Sequence, residues 1–226
     1  MLREITITKD GSHTLEVQDT QDTYHSRFGA LQESQHVFIG AGLHPFIKEG
    51  QPVRVLEVGF GTGLNAFLTY LEAKEENVHI DYEGIEPAPI SEQEYTKLNY
   101  PSAAKRHVYA DRFIQLHEAP WNKPINMGAL FTLTKHQTTV QDFKSPHQFH
   151  VIYFDAFAPA SQPELWTTEI FDKMYALTKP GGVLVTYCSK GEVRRSLTAA
   201  GFLVEKLPGP AGKREMTRAI KTIEED

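Results

Sequence analysis

The chain has 226 residues, 40% of them hydrophobic, which suffices for the core of one α/β domain with additions. Its formal charge of −6 and pI near 5.9 argue against a protein that coats nucleic acid through bulk basicity. No apolar run reaches the roughly eighteen residues of a membrane span and no signal-type segment follows Met1, so a cytoplasmic protein is expected; Cys188, the single cysteine, excludes an internal disulfide and reads as an inert thiol.

In chain order, Ile5-Thr6-Ile7-Thr8 and His13 to Val17 flank Asp10-Gly11, the pattern of a hairpin with a tight turn. Asp22 to Gly29 is polar and aromatic, and Leu31 to Ile39 reads as a helix. Residues 1–50 are therefore expected to form an N-terminal hairpin and helical extension, and residues 51–226 the main domain. Tyr24, His25 and Glu33 read by themselves as exposed polar residues. Tyr24 and Glu33 are nevertheless candidate substrate contacts, because such an extension covers the substrate side.

The run Val53-Arg54-Val55-Leu56-Glu57-Val58 ends in Gly59-Phe60-Gly61-Thr62-Gly63-Leu64-Asn65, predicting a buried parallel strand, a sharp turn and a helix from Asn65 to Glu76. A dinucleotide site wants G-x-G-x-x-G, with a pyrophosphate on the helix N-terminus. Here the third glycine comes one position early, and an acid, Glu57, stands two residues before the first. This form resembles the first motif of class I S-adenosylmethionine (SAM) methyltransferases, and the resemblance implies that Glu57, Gly59, Phe60, Gly61, Thr62, Gly63 and Asn65 surround the methionine end of SAM. A second strand, Ile80 to Glu86, ends in a carboxylate able to accept both hydroxyl protons of a ribose, the role assigned to Glu86. Glu83, its competitor, sits inside the strand as a structural or solvent-facing acid.

Pro87 and Pro89 stop that strand and Ser91 caps a helix with acids in its first turn. Residues 99–128 predict only a short helix, Ala110 to Leu116, and an irregular connection. Leu130 to Thr134 reads as a third strand. In many class I methyltransferases an acid just beyond it holds the adenine amino group, so Asp142 is the candidate, with a helix N-terminal acid as its alternative role. Val151-Ile152-Tyr153-Phe154 predicts a buried central strand with Asp155 at its carboxyl end, where open α/β sheets place ligands. A helix from Gln162 to Leu177, a turn at Lys179-Pro180-Gly181-Gly182, and strands at 183–188, 202–207 and 214–221 complete the expected fold: α/β, Rossmann-like, seven strands, mostly parallel with an antiparallel hairpin at the C-terminal end.

Asp22-Thr23-Tyr24, the glycine stretch, Asp155-Ala156-Phe157-Ala158-Pro159-Ala160, Pro163-Glu164-Leu165-Trp166-Thr167, Val193-Arg194-Arg195 and Gly212-Lys213-Arg214-Glu215-Met216 together resemble the methyltransferase domain of MnmC-type tRNA modification enzymes. Ala156 departs from the family's glycine, and the family's aromatic-Gly-Asp after the third strand is not evident. The resemblance implies a SAM-dependent methyltransferase that acts on the aminomethyl group of the wobble uridine of tRNA to give 5-methylaminomethyl-2-thiouridine. The flavin-dependent oxidase domain fused to it in the best-known form does not fit in 226 residues, so a stand-alone enzyme is expected. Asp155 is the expected proton acceptor for the amine, Phe157 and Pro159 are expected at the substrate, and Lys190, Arg194, Arg195, Lys213 and Arg214 are expected to meet tRNA phosphates; no metal is expected. Two rivals are an aminopropyltransferase, using decarboxylated SAM and a polyamine, and a catalytically silent SAM-fold module.

Overall fold

A computed structural model describes residues 2–47 and 50–223. Its centre is an eight-stranded sheet built from β3 (Val53–Val58), β4 (Ile80–Ile85), β5 (Pro124–Asn126), β6 (Phe131–His136), β7 (Phe149–Phe154), β8 (Thr178–Thr186), β9 (Leu203–Pro208) and β10 (Glu215–Ile220). The order across the sheet is β5-β6-β4-β3-β7-β8-β10-β9. Strands β6, β4, β3, β7 and β8 run parallel, while β10 is antiparallel to both β8 and β9. The expected seven strands gain an eighth because Ile125 pairs with Leu133 and places β5 antiparallel on the β6 edge. A three-residue strand has too few residues for alternation to reveal it.

Successive residues of the central strands face opposite layers, as a period of two requires. Val55, Tyr82, Tyr153 and Val185 join one apolar cluster with Phe38, Leu43, Phe67 and Phe131; Leu56, Ile152, Phe154 and Leu184 join the other with Trp166, Phe171, Val193 and Leu197. Each such large side chain, taken fully from water, contributes roughly 1.5–3 kcal/mol.

The hairpin is β1 (Arg3–Ile7) with β2 (His13–Val17), antiparallel. The predicted single helix over 31–39 is instead α1 (Ala30–Ser34), a π-helix over Gln35–Leu43, and α2 (His44–Ile47). Gly42 lets this wide turn lie on the sheet, since a Cβ there would come within 2.8 Å of Val185 Cγ2. After β3 comes α3 (Leu64–Glu75). The Ser91 cap is present as a reciprocal capping box with Glu94, although α4 (Glu92–Tyr95) is one turn long. The 99–128 segment contains α5 (Tyr100–Ala103), α6 (Ala110–Glu118) and β5. Next come α7 (Thr168–Leu177), capped by Thr167 and preceded by a separate 3-10 turn Pro163–Leu165, and α8 (Gly191–Ala199). Strand β8 already begins at Thr178, with an irregularity in its pairing to β7 where the sequence suggested a turn, and ends at Thr186. Cys188, just beyond it, is buried, and burial pushes its thiol up, as an inert thiol requires.

Candidate active site

Strand β3 is flanked by β4 on one side and β7 on the other, so the connections leave it in opposite directions and open a crevice at the carboxyl ends. A cavity of about 770 Å³ lies there, the size of a ligand site. Its floor is the glycine loop. Gly59 N and Phe60 N both donate to the carbonyl of Ile85 at 3.0 Å, which folds the loop back over β4. Gly59 sits at φ +92°, and a Cβ there would lie 2.6 Å from the Asp155 carbonyl oxygen, so loop and β7 terminus are in direct backbone contact. Thr62 is held from two sides, its hydroxyl by His25 Nε2 at 2.7 Å and its carbonyl by His117 Nε2 at 3.0 Å. Burial pushes His25 down to about 4 and His117 down to about 3, so both rings are neutral and His117 donates.

Glu86 stands at the end of β4 and lines the cavity. Gly61 N donates to its Oε2 at 3.0 Å and Ala88 N to its Oε1 at 2.9 Å, which fixes the carboxylate at the cavity wall with a lone pair on each oxygen to spare. Burial raises its pKa against the pull of those amides. At the far end, Asn65 Nδ2 on α3 donates to Asp155 Oδ2 at 2.8 Å and to Glu57 Oε1 at 2.9 Å, while the Tyr82 hydroxyl donates to Glu57 Oε2 at 2.6 Å. Glu57 is 1% exposed, burial raises its pKa, and it lies behind Asn65 without lining the cavity. Asp155 does line it. Burial first, then the negative charge of Glu33, push its carboxyl up to about 8, with the Asn65 hydrogen bond and the Lys213 charge pulling the other way.

The opposite wall comes from the N-terminal segment and the loop before β10. Tyr24 and Phe157 meet edge to face with centroids 5.0 Å apart. Glu33 accepts from Ser26 N at 3.0 Å and forms an ion pair with Lys213, whose ammonium also lies 4.0 Å from the Tyr187 ring centroid. The Tyr187 hydroxyl donates to the Ala156 carbonyl at 2.8 Å.

This arrangement corrects several expectations. Glu33 is 4% and His25 7% exposed, where polar residues in an extension read as solvated; packing of α1 against the sheet domain encloses them. Asp142 is exposed, bonded to the Thr139 hydroxyl at 2.8 Å, and outside the cavity, whereas Thr139, Val140 and Gln141 line it. Thr139 turns the chain there, so the residues before Asp142 face inward. Gly63 and half-buried Pro159 stand behind the lining; Phe60, Gly61, Thr62 and Phe157 are part of it. Glu83 takes the structural role of its two expected ones, paired with His136 at 2.8 Å outside the cavity. The basic residues do not form one set: Arg194 pairs with Glu215 and Lys213 turns into the cavity, while Lys190, 3.6 Å from Glu192, Arg195 and Arg214 are exposed. Sequence reasoning did not single out Arg3, which comes from the hairpin, or Tyr187, which follows β8. The rule that ligands gather beyond strand carboxyl ends points to Tyr187; no local pattern points to Arg3.

The residues present suit SAM. The loop offers close backbone approach, Glu86 a fixed carboxylate, and Asn65 a buried Oδ1 with no protein partner. Acids outnumber bases on the lining, which suits a positively charged sulfonium. In this arrangement Glu86 would hold the ribose and the 59–65 segment the methionine end.

A family model described as S-adenosyl-L-methionine-dependent methyltransferase matches residues 123–222. The bifunctional protein MnmC for tRNA 5-methylaminomethyl-2-thiouridine biosynthesis from Nitrosospira multiformis is 32% identical over 208 residues, covering 86% of this chain and 33% of that protein. The counterpart from Ectopseudomonas mendocina is 31% identical over 212 residues. The chain thus spans about a third of the length of the curated relatives it matches. The crystal structure of MNMC2 from Aquifex aeolicus superposes with a TM-score of 0.78 at 26% identity, over 96% of this chain and 70% of that one. Spermidine synthase from Thermotoga maritima, at 16% identity and TM-score 0.56 over 98% of this chain and 70% of that one, shares the fold alone. Residues 123–222 thus match the S-adenosyl-L-methionine-dependent methyltransferase family, and the chain is similar along most of its length to part of the MnmC proteins.

Proposed function

We propose that the chain transfers a methyl group from SAM to the aminomethyl nitrogen of the wobble 5-aminomethyl-2-thiouridine of tRNA, giving 5-methylaminomethyl-2-thiouridine. The observation that carries the reading is Asp155, a carboxyl held by Asn65 at the meeting point of the glycine loop and the aromatic wall, with burial pushing it up to about 8. A general base works best with a pKa near the working pH. SAM supplies an electrophilic methyl on a positively charged sulfur. The protein's part is alignment and proton handling.

A primary alkyl ammonium offers no lone pair. Asp155 Oδ2 is engaged by Asn65, so Oδ1 is the atom that accepts a proton from the amine. Tyr24, Phe157 and Tyr187 provide apolar faces for a pyrimidine ring and limit water around the nitrogen. Exposed Arg195 and Arg214 supply phosphate contacts that position the RNA without reading its sequence. An aminopropyl transfer would need carboxylates open to a polycation, yet Glu33 is paired with Lys213 and Glu86 is the acid that meets the cofactor ribose in this reading.

The test is incubation with methyl-labelled SAM and tRNA from cells lacking this methylation, followed by nucleoside analysis. Label on the aminomethyl uridine is expected. No label there, with a polyamine reacting with decarboxylated SAM instead, overturns the proposal.

A further inference from the structure

Lys213 was expected at an RNA phosphate, but its ammonium lies in the cavity wall. It pairs with Glu33 and stands over the face of Tyr187. Glu33 is almost wholly buried and its other oxygen is fixed by the Ser26 amide, so the pair is held from both ends and closes α1 against the loop before β10. Lys213, Glu33 and Asp155 line the same cavity. A cation with a buried partner, facing the place where an amine must be neutral, has an effect that a surface lysine lacks. Glu33 favours a proton on the Asp155 carboxyl and Lys213 opposes it, so the ion pair balances the charge where the amine must lose its proton.

We propose that the Glu33–Lys213 ion pair is a positioning element for Asp155: the buried Glu33 charge favours proton uptake by the carboxyl that receives the amine's proton, and Lys213, held by Glu33 over Tyr187, limits it. The proposal rests on the reading of the substrate as a primary alkyl amine. Lys213 itself carries no proton through the reaction. Glu33 holds the ammonium over Tyr187 so that it neither drifts to solvent nor pairs with Asp155 and blocks it.

The titratable groups that interact with Asp155 are Glu33 from α1, Lys213 from the loop before β10, Glu57 behind Asn65, Tyr82 on β4, Tyr100 from α5 and Tyr187 after β8. Glu57 lies buried behind Asn65, and Glu33 and Lys213 are the two groups of opposite charge that act on Asp155. Glu33 raises the Asp155 pKa and Lys213 lowers it. Removing each charge therefore moves the same titration in opposite directions, a signature that loss of packing does not produce.

Two measurements on Lys213→Met, Lys213→Arg and Glu33→Gln test the proposal. In the protein without substrate, carbon-13 NMR of labelled aspartate follows the Asp155 carboxyl. Its midpoint is expected to rise by about one pH unit in Lys213→Met, to stay put in Lys213→Arg, and to fall by a similar amount in Glu33→Gln. In turnover, the acid limb of kcat is expected to shift the same way, with Lys213→Met roughly tenfold slow at pH 7 and recovering at higher pH. Unmoved midpoints and limbs, with Lys213→Met instead weakening tRNA binding and flattening its salt dependence, overturn the proposal in favour of a phosphate contact. If the wild-type protein methylates no tRNA, the substrate reading fails, and the NMR midpoints still decide whether the pair sets the charge balance at Asp155.

Discussion

Asp155 illustrates what a single residue costs and yields. A carboxylate half enclosed by aromatic rings and a second acid, Glu33, is held in an unfavourable site, and its pKa is raised from 3.8 to about 8. Between those two values the folded state retains a proton that the unfolded chain releases, so stability falls as pH rises through this window. Asp155→Asn keeps the hydrogen bond to Asn65 and removes the ionisable group. The variant is expected to be more stable than wild type, with a gap that is small near pH 4 and grows to about 5 kcal/mol at pH 8, read from urea midpoints at each pH. A constant gap across that range would mean that Asp155 is solvated in the folded state. Gly59, in contact with the Asp155 carbonyl, is equally constrained. Gly59→Ala puts a methyl 2.6 Å from that oxygen at φ +92° and is expected to cost at least tenfold in affinity for S-adenosylhomocysteine, measured by calorimetry.

At the scale of elements, the glycine loop and β7 were legible because their chemistry is local. Three alternating glycines after an apolar strand, and an acid closing another such strand, need no distant partner to be read. The π-helix was not legible, since Gln35 to Leu43 carries the same apolar residues that an α-helix would show and only its close seat on the sheet selects the wider turn. Gly42 makes that seat possible. Gly42→Val drives carbon into Val185 and Val151 and is expected to destabilise the fold by about 1–3 kcal/mol, seen as a lower thermal midpoint. The pairing of Glu33 with Lys213 was hidden for a different reason: the two are 180 residues apart, and only the closure of α1 on the loop before β10 brings them together. Sequence proximity to Arg214 placed Lys213 on a basic surface; tertiary packing gave it an acidic partner. Asp142 differs in the converse way: its neighbours Thr139, Val140 and Gln141 line the cavity, but its own side chain turns outward to Thr139.

For the whole molecule, a net charge of −6 sits beside a proposed polyanionic partner. The two are compatible when few cations do the contacting. Because Arg194 and Lys213 are paired with acids, exposed Arg195 and Arg214 carry the phosphate contacts in this reading. Arg195→Ala with Arg214→Ala is expected to weaken tRNA binding and to reduce the slope of log affinity against log salt by roughly 1.5–2, leaving S-adenosylhomocysteine affinity unchanged. Binding and chemistry should then separate by face: arginines outside, Glu86 and the glycine loop at one end of the cavity, Asp155 at the other. The most direct measurement is a single-turnover methyl transfer to tRNA lacking the modification, wild type against Asp155→Asn, with S-adenosylhomocysteine affinity measured on both proteins. Affinity should agree within about twofold while transfer to the aminomethyl uridine falls by about 10²-fold or more. Transfer at the wild-type rate, or loss of transfer together with loss of S-adenosylhomocysteine affinity, would contradict Asp155 as the group that takes the amine's proton.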